Sequence, residues 1–260
     1  MDPANFWLLV AVGLIGLAIA ISLGRLFREV RRLRRGVARA TRQIPGEIIA
    51  ETHSIHVLHG RYPGHSMPTS TWSMRFTNLQ AILDLLDRHR PETLLELGSG
   101  LSTLTWAGWM REQGRGKVWS CEHDPNWREL TVRHLGRAGL AGHAEVRHTP
   151  LRSETGTAAQ PWYDLGTLLP EIPPIEFVVV DGPPAGTRAR RMSRYPALPA
   201  LFEKLSADAV VVLDDARRPG EREVLNRWMS EFPGFRRVDL DTATGLAVLT
   251  RGGCVTRAGA

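Results

Sequence analysis

Cysteine is scarce in this chain of 260 residues, which has only Cys121 and Cys254. Two cysteines cannot build a disulfide framework or a cysteine-based zinc site, and their scarcity fits a reducing compartment. Most of the chain also lacks excess charge. The net charge is +6, but residues 1–50 hold eight arginines against three acidic residues. Because residues 51–260 then carry only about +1, the sequence predicts no nucleic-acid-binding surface.

Charge is missing altogether from residues 6–24, FWLLVAVGLIGLAIAISLG. A helix of this length, rising 1.5 Å per residue, crosses roughly 30 Å of hydrocarbon. No Lys or Arg precedes the run and eight arginines follow it, an order that argues against a cleaved signal peptide. The sequence therefore predicts a single-pass protein of the cytoplasmic membrane, held by residues 6–24 and the arginine cluster, with the rest of the chain cytoplasmic. A buried core helix is the alternative.

Composition divides the chain into four predicted segments. They are an anchor with a basic helix (1–44), a lid or docking segment with a leading helix (45–90), a core (91–251) and a flexible tail (252–260). We expect the basic helix to stop at Ile44-Pro45-Gly46, because proline and glycine interrupt helices. The following stretch is rich in His, Gly and Pro, which predicts irregular structure up to a helix at 76–89.

In the core, short β-rich apolar runs alternate with helical segments, a pattern typical of a mostly parallel sheet covered by helices. The predicted strands are 93–97, 118–121, 144–148, 175–180 and 209–213. The predicted helices are 102–113, 126–138, 195–205 and 221–232. Two final strands, 235–240 and 246–250, are joined by a turn segment and predict an antiparallel hairpin.

A glycine-rich turn follows the first predicted strand, in the sequence LLELGSGLSTL that begins at Leu94. Gly98 and Gly100 permit a tight turn and close approach of a ligand, and Ser102 can cap the next helix. The third glycine of a dinucleotide-binding turn is absent. Glu96 precedes the turn, and a carboxylate there suits a ligand with a cationic ammonium group better than one with a pyrophosphate.

A second acidic residue, Glu122, ends the next predicted strand, 22 residues beyond Gly100. A carboxylate at this position can accept hydrogen bonds from both ribose hydroxyls of an adenosine group. The alternative is that Glu122 only caps the helix that follows His123-Asp-Pro-Asn126.

Three stretches, ELGSGLST, CEHDP and VVDGPP, resemble class I S-adenosylmethionine-dependent methyltransferases over roughly residues 90–251. The resemblance implies an α/β, Rossmann-like, doubly wound sheet of seven strands that ends in an antiparallel hairpin. It also implies S-adenosylmethionine as cofactor, with Ser102 in place of a third glycine, a variant similar to that of small-molecule O-methyltransferases. The cofactor-binding residues that we expect are Glu96, Gly98, Ser99, Gly100, Ser102, Glu122 and Asp181.

Three carboxylates, Asp181, Asp214 and Asp215, follow two further strands. Because the carboxyl ends of parallel strands share one edge of the sheet, we expect these groups to meet and to bind Mg²⁺ or another divalent cation. They resemble the metal site of catechol O-methyltransferase-like enzymes, with Asp215 in place of an asparagine. The alternative is that these residues only cap helices or contact the cofactor.

The resemblance implies a Lys as catalytic base at a position where this chain has Pro184. The candidates are Asp181, His56 and His59, the two histidines because an unperturbed imidazole titrates near pH 6.5. Further predictions concern the acceptor: arginines at 188, 190, 191 and 194 to bind an anionic group, and Trp162-Tyr163 as a wall of its site.

The sequence thus predicts methyl transfer to an oxygen of a small or glycan-like acceptor near the membrane, with possible help from a metal. Two other classes remain open. One is a nicotinamide-dependent oxidoreductase, and the other is a non-catalytic membrane scaffold that keeps the fold.

Overall fold

A computed structural model describes residues 3–62, 69–70, 72–153 and 161–251. The chain separates into two compact units, Met1–Ala50 and Glu51–Ala260. The predicted tail at 252–260 and most of the His- and Pro-rich stretch at 63–71 lie outside the described residues.

The first helix, α1, runs from Pro3 to Arg61. The predicted stop at Pro45-Gly46 and the predicted irregular segment directly after it are therefore wrong. A proline removes one main-chain hydrogen bond, a loss that the helical turns on either side of it can offset. No helix in the described part of the chain is long and apolar enough to cross a membrane. The structure thus does not support the predicted transmembrane span at 6–24, where the side chains of residues 6–13, 15 and 18 lie outside the described part.

The second unit is built on a seven-stranded sheet, whose strands are β1 Thr93–Leu97, β2 Lys117–Glu122, β3 Ala144–His148, β6 Ile175–Val180, β7 Leu205–Asp214, β8 Phe235–Leu240 and β9 Leu246–Arg251. Their order across the sheet is β3-β2-β1-β6-β7-β9-β8. Five strands are parallel, β9 runs antiparallel to β7, and β8 runs antiparallel to β9. The predicted doubly wound α/β sheet with a closing hairpin is confirmed.

Helices cover both faces of this sheet, as the alternation of elements predicts. They are α2 Phe76–His89, α3 Leu101–Gln113, α4 Pro125–Arg137, α5 Ala197–Leu201 and α6 Pro219–Glu231. The helix predicted for 195–205 is shorter than expected: α5 covers five residues and a 3₁₀ turn, Phe202–Lys204, follows it. Two short strands, β4 Leu151–Arg152 and β5 Trp162–Tyr163, form a separate antiparallel pair.

The core lies on both faces of the sheet. On one face Trp106, Trp109 and Leu79 pack in a buried cluster with α2, α3 and α4, and on the other Trp228 packs with α5 and α6. All five residues of β1 are buried. Because the central strands are covered on both faces, polar side chains can meet water and ligands only at the strand ends.

Candidate active site

A cavity of about 410 Å³ lies at the carboxyl ends of β1, β2, β6 and β7. The glycine-rich turn and Glu122 line one part of it, and Asp181, Asp214 and Asp215 line another. Residues just before α2, among them Trp72 and Arg75, also line it. Its place at the strand ends is where open α/β sheets bind their ligands.

The turn between β1 and α3 needs glycine at two positions. Gly98 has φ +114° and Gly100 has φ +143°, values that side-chain-bearing residues rarely adopt. The Gly98 amide donates to the Cys121 carbonyl at 2.9 Å, and the Trp127 indole donates to the Ser99 carbonyl at 2.8 Å. These bonds fix the turn against β2 and α4, with Gly98, Ser99 and Gly100 on the cavity wall.

Glu122 ends β2 and lines the cavity. Its carboxylate accepts from the Ser99 hydroxyl at 2.7 Å and from the Asp124 amide at 2.9 Å. The alternative in which Glu122 caps α4 is wrong, because Asp124 does so by accepting from two amides in the first turn. Glu122 is therefore positioned as a hydrogen-bond acceptor for a ligand beside the glycine turn.

Glu96 has a different position from the one that the sequence indicates. It is fully buried, and its oxygens accept from the Thr103 hydroxyl at 2.6 Å and the Trp106 indole at 2.9 Å. It is not among the residues that line the cavity. Burial raises the pKa of its carboxyl group to about 7. Thr103 also accepts from the Gly100 amide at 3.0 Å, so Glu96 supports the turn from beneath.

Ser102 was expected to cap α3, and this is wrong. The helix begins at Leu101 with Gly100 as its N-cap, so Ser102 lies within the first turn. It does line the cavity, as a cofactor-contacting residue should.

Asp181, Asp214 and Asp215 converge as predicted, each offering an oxygen within 4.8 Å of the others. Asp214 Oδ1 accepts from the Asn78 side-chain amide at 2.5 Å, the Thr244 hydroxyl at 3.1 Å and the Asp215 main-chain amide at 2.6 Å. Burial, followed by the charge of Asp214, raises the pKa of Asp181 well above its usual range.

A buried cation beside this cluster is Arg194, which lies 3.1 Å from Asp215 and 3.4 Å from Asp181. Its side chain is 4% exposed. The cluster therefore does not fit a divalent metal ion well, because two of the three candidate ligands already share a fixed positive charge. Arg194 was predicted only as one of several arginines for an anionic substrate, and nothing in its spacing distinguishes it. Arg188, Arg190 and Arg191 are exposed and lie outside the residues that line the cavity.

The two histidine candidates are not brought to the site. His56 and His59 are exposed on α1 and are not among the cavity-lining residues. The buried positions of this helical stretch are Glu51, Ser54 and Leu58, whose spacing of three and four residues places the histidines on other faces.

Tyr163 is a site residue whose role the sequence indicates only loosely. It lines the cavity and is 3% exposed, and its hydroxyl has no hydrogen-bond partner among the described residues. Burial raises its pKa well above the usual range. A buried, unpaired hydroxyl on a cavity wall is a donor available to a ligand. Trp162, which was predicted to share this wall, is buried but is not among the lining residues.

The sheet order with its reversed final hairpin, together with the glycine turn and Glu122, defines a class I methyltransferase fold. In agreement, residues 95–216 match the family described as "Methyltransferase domain". The matched stretch, 122 of the 260 residues, thus resembles a methyltransferase domain.

Solved structures show the same fold at low sequence identity. A cofactor-bound protein from MTB has a TM-score of 0.54 and 18% identity, over 76% of this chain and 89% of that one. An S-adenosylhomocysteine-bound methyltransferase from Podospora anserina has a TM-score of 0.53 and 14% identity, over 78% of this chain and 88% of that one. An O-methyltransferase from Streptomyces achromogenes in complex with S-adenosylmethionine has a TM-score of 0.52 and 14% identity, over 75% of this chain and 89% of that one. No curated protein matches the chain.

Proposed function

We propose that this protein transfers the methyl group of S-adenosylmethionine to an oxygen atom of a small acceptor. The observation that carries the proposal is that one cavity joins the glycine turn and Glu122 to the carboxylates at the ends of β6 and β7. Such a cavity can hold the cofactor and an acceptor hydroxyl side by side, which a direct transfer requires.

The cofactor would rest on Gly98, Ser99, Gly100 and Ser102, with its ribose hydroxyls donating to Glu122. Tyr163 adds a hydroxyl on the same wall. Glu96 would act indirectly, by holding the turn through Thr103.

In the reaction, the acceptor oxygen forms a bond to the methyl carbon as the carbon–sulfur bond breaks. The electron pair of that bond stays on sulfur, which yields S-adenosylhomocysteine. The hydroxyl proton would pass to Asp181, the carboxylate at the end of β6 that lines the cavity. Most of the rate gain would come from alignment of oxygen, methyl and sulfur by the cavity walls.

The acceptor is proposed to be a small or glycan-like hydroxyl compound that the enzyme meets near a membrane. This part rests on the sequence, in which an uncharged run at 6–24 precedes eight arginines. The exposed side chains of Trp72 and Arg75 at the cavity would suit an acceptor with a flat or sugar-like face and an anionic group.

Calorimetric titration of the protein with S-adenosylmethionine, S-adenosylhomocysteine and NAD tests the cofactor assignment. We expect the first two to bind and NAD not to bind. Glu122→Gln should weaken binding about tenfold, because a neutral amide replaces an anionic acceptor. Glu129→Gln, on the exposed side of α4, is the matched control and should bind as the unchanged protein does.

Transfer of a labelled methyl group to a panel of phenols, sugars and lipid-linked glycans then tests the reaction and the acceptor class. Binding of NAD without S-adenosylmethionine would favour the oxidoreductase alternative. If none of S-adenosylmethionine, S-adenosylhomocysteine and NAD binds, the result would favour the non-catalytic scaffold.

A further inference from the structure

We infer that Arg194 is the resident cation of the carboxylate cluster, and that its guanidinium group holds Asp181 and Asp215 in place of a divalent metal ion. The inference concerns the acceptor side of the proposed active site. Its test measures metal binding and folding, so it does not depend on methyl transfer.

The guanidinium contacts the ends of both strands that carry the carboxylates. One nitrogen lies 3.1 Å from Asp215 Oδ2 and donates to the Asp214 carbonyl at 3.1 Å. The other lies 3.4 Å from Asp181 Oδ1 and also donates to the Asp181 carbonyl. A planar group with five donors can bridge β6 and β7 in this way.

Two positive groups already lie beside the carboxylates without a metal. Glu221 at the start of α6 lies 3.7 Å from Arg194, and a second guanidinium, that of Arg218, lies 2.6 Å from Asp215 Oδ2. This oxygen therefore faces two positive groups. A Mg²⁺ ion would have to approach the same oxygen against their charge.

The third carboxylate is also engaged. Asp214 Oδ1 accepts from Asn78, Thr244 and the Asp215 amide. Binding a metal through this oxygen would cost those hydrogen bonds. Since Arg194 is buried and an arginine does not lose its proton in proteins, the positive charge that it supplies is permanent.

The test is titration of the full-length protein with Mn²⁺, followed by electron paramagnetic resonance and calorimetry, with S-adenosylhomocysteine present and absent. We expect no stoichiometric Mn²⁺ site, and a Tm that neither EDTA nor Mg²⁺ changes. S-adenosylhomocysteine binding in the same samples reports separately on the proposed function. A protein that binds neither ligand leaves this inference standing and contradicts the methyltransferase proposal.

Substitution of the arginine gives the complementary result. Arg194→Met removes the charge but keeps much of the side-chain volume, so we expect a lower Tm, a new Mn²⁺ site and recovery of Tm when Mn²⁺ is added. Arg194→Lys keeps a cation and should acquire no such site. Arg191→Met is the matched control, because Arg191 belongs to the same segment but pairs with Glu223 outside the cavity.

Three results would overturn the inference. One is a single Mn²⁺ bound per unchanged chain and lost in Asp214→Asn. Another is a Tm that falls after chelation and returns with Mn²⁺. The third is a folded Arg194→Met protein that binds no Mn²⁺. If Arg194→Met does not fold, the titration of the unchanged protein decides alone.

Discussion

Glu96 keeps its carboxyl group away from water beneath the glycine turn, and this gives stability a specific pH dependence. Its pKa in the folded chain is about 7, above the usual value for glutamate, because burial disfavours the charged form. The folded chain therefore binds this proton more tightly than the unfolded chain. The stabilisation is fully present below the unfolded pKa and is lost as pH rises towards 7.

Glu96→Gln should remove this dependence, since an amide does not titrate in this range. The Thr103 hydroxyl can turn to accept from the new amide, so the packing of the turn is kept. We expect the difference in unfolding free energy between the two proteins to change between pH 4.5 and 7 by on the order of 3 kcal/mol, in favour of the variant as pH rises. Denaturant unfolding of both proteins between pH 4.5 and 7 measures this difference. Stability curves of the two proteins that run parallel over this pH range would contradict the prediction.

Tyr163 tests whether the unpaired hydroxyl on the cavity wall serves a ligand. Tyr163→Phe loses no hydrogen bond in the free protein, so Tm should stay the same or rise slightly. Affinity for S-adenosylhomocysteine, or for the acceptor once known, should fall about three- to tenfold. Tyr195→Phe, which loses a bond to Glu231 away from the cavity, is the control. Equal affinities of the two variants would mean that Tyr163 only packs.

At the scale of elements, α2 depends on an acidic residue of α1. The Glu51 carboxylate accepts from the amides of Phe76 and Thr77, each at 3.1 Å, and from the Thr77 hydroxyl at 2.6 Å. It thus satisfies main-chain donors that open the first turn of α2, where Arg75 makes no side-chain cap.

Glu51→Ala should therefore destabilise the protein by about 1 to 2 kcal/mol, the usual cost of losing a helix cap. Glu47→Ala, at an exposed position one turn earlier in α1, should change stability by less than about 0.5 kcal/mol. Denaturant unfolding of the three proteins measures both effects. A loss of the same size in both variants would show that the cap by Glu51 is not responsible, since alanine itself favours the helix.

The accuracy of the sequence predictions differs between elements for physical reasons. The strands at 93–97, 144–148, 175–180 and 235–240 end where predicted, because apolar runs and turn residues mark their ends locally. The partner of Glu51 lies 25 residues away, and no local pattern shows it. The same holds for Arg194, whose contacts with Asp181 and Asp215 arise only when the chain folds.

The candidate site follows the same rule. Glycine turn and strand-end carboxylates could be predicted because topology alone brings strand ends together. Which residue beside the turn faces the ligand depends on packing, which no local sequence pattern shows. The sequence therefore places Glu96 at the cavity, whereas the structure places it beneath the turn and away from the cavity wall. His56 and His59 were expected near the site because α1 was expected to end before them.

At the scale of the whole molecule, the unit Glu51–Ala260 contains the complete sheet and every residue that lines the cavity. A fragment that begins at Gly46 keeps Glu51 and should bind S-adenosylhomocysteine within about twofold of the full chain. If residues 6–24 anchor the protein, the full chain should sediment with membranes and the fragment should not. Calorimetry and membrane fractionation measure the two properties independently. A fragment that folds but binds no cofactor would show that the first unit contributes to the site, and a full chain that stays out of the membrane fraction would remove the basis for a membrane-linked acceptor.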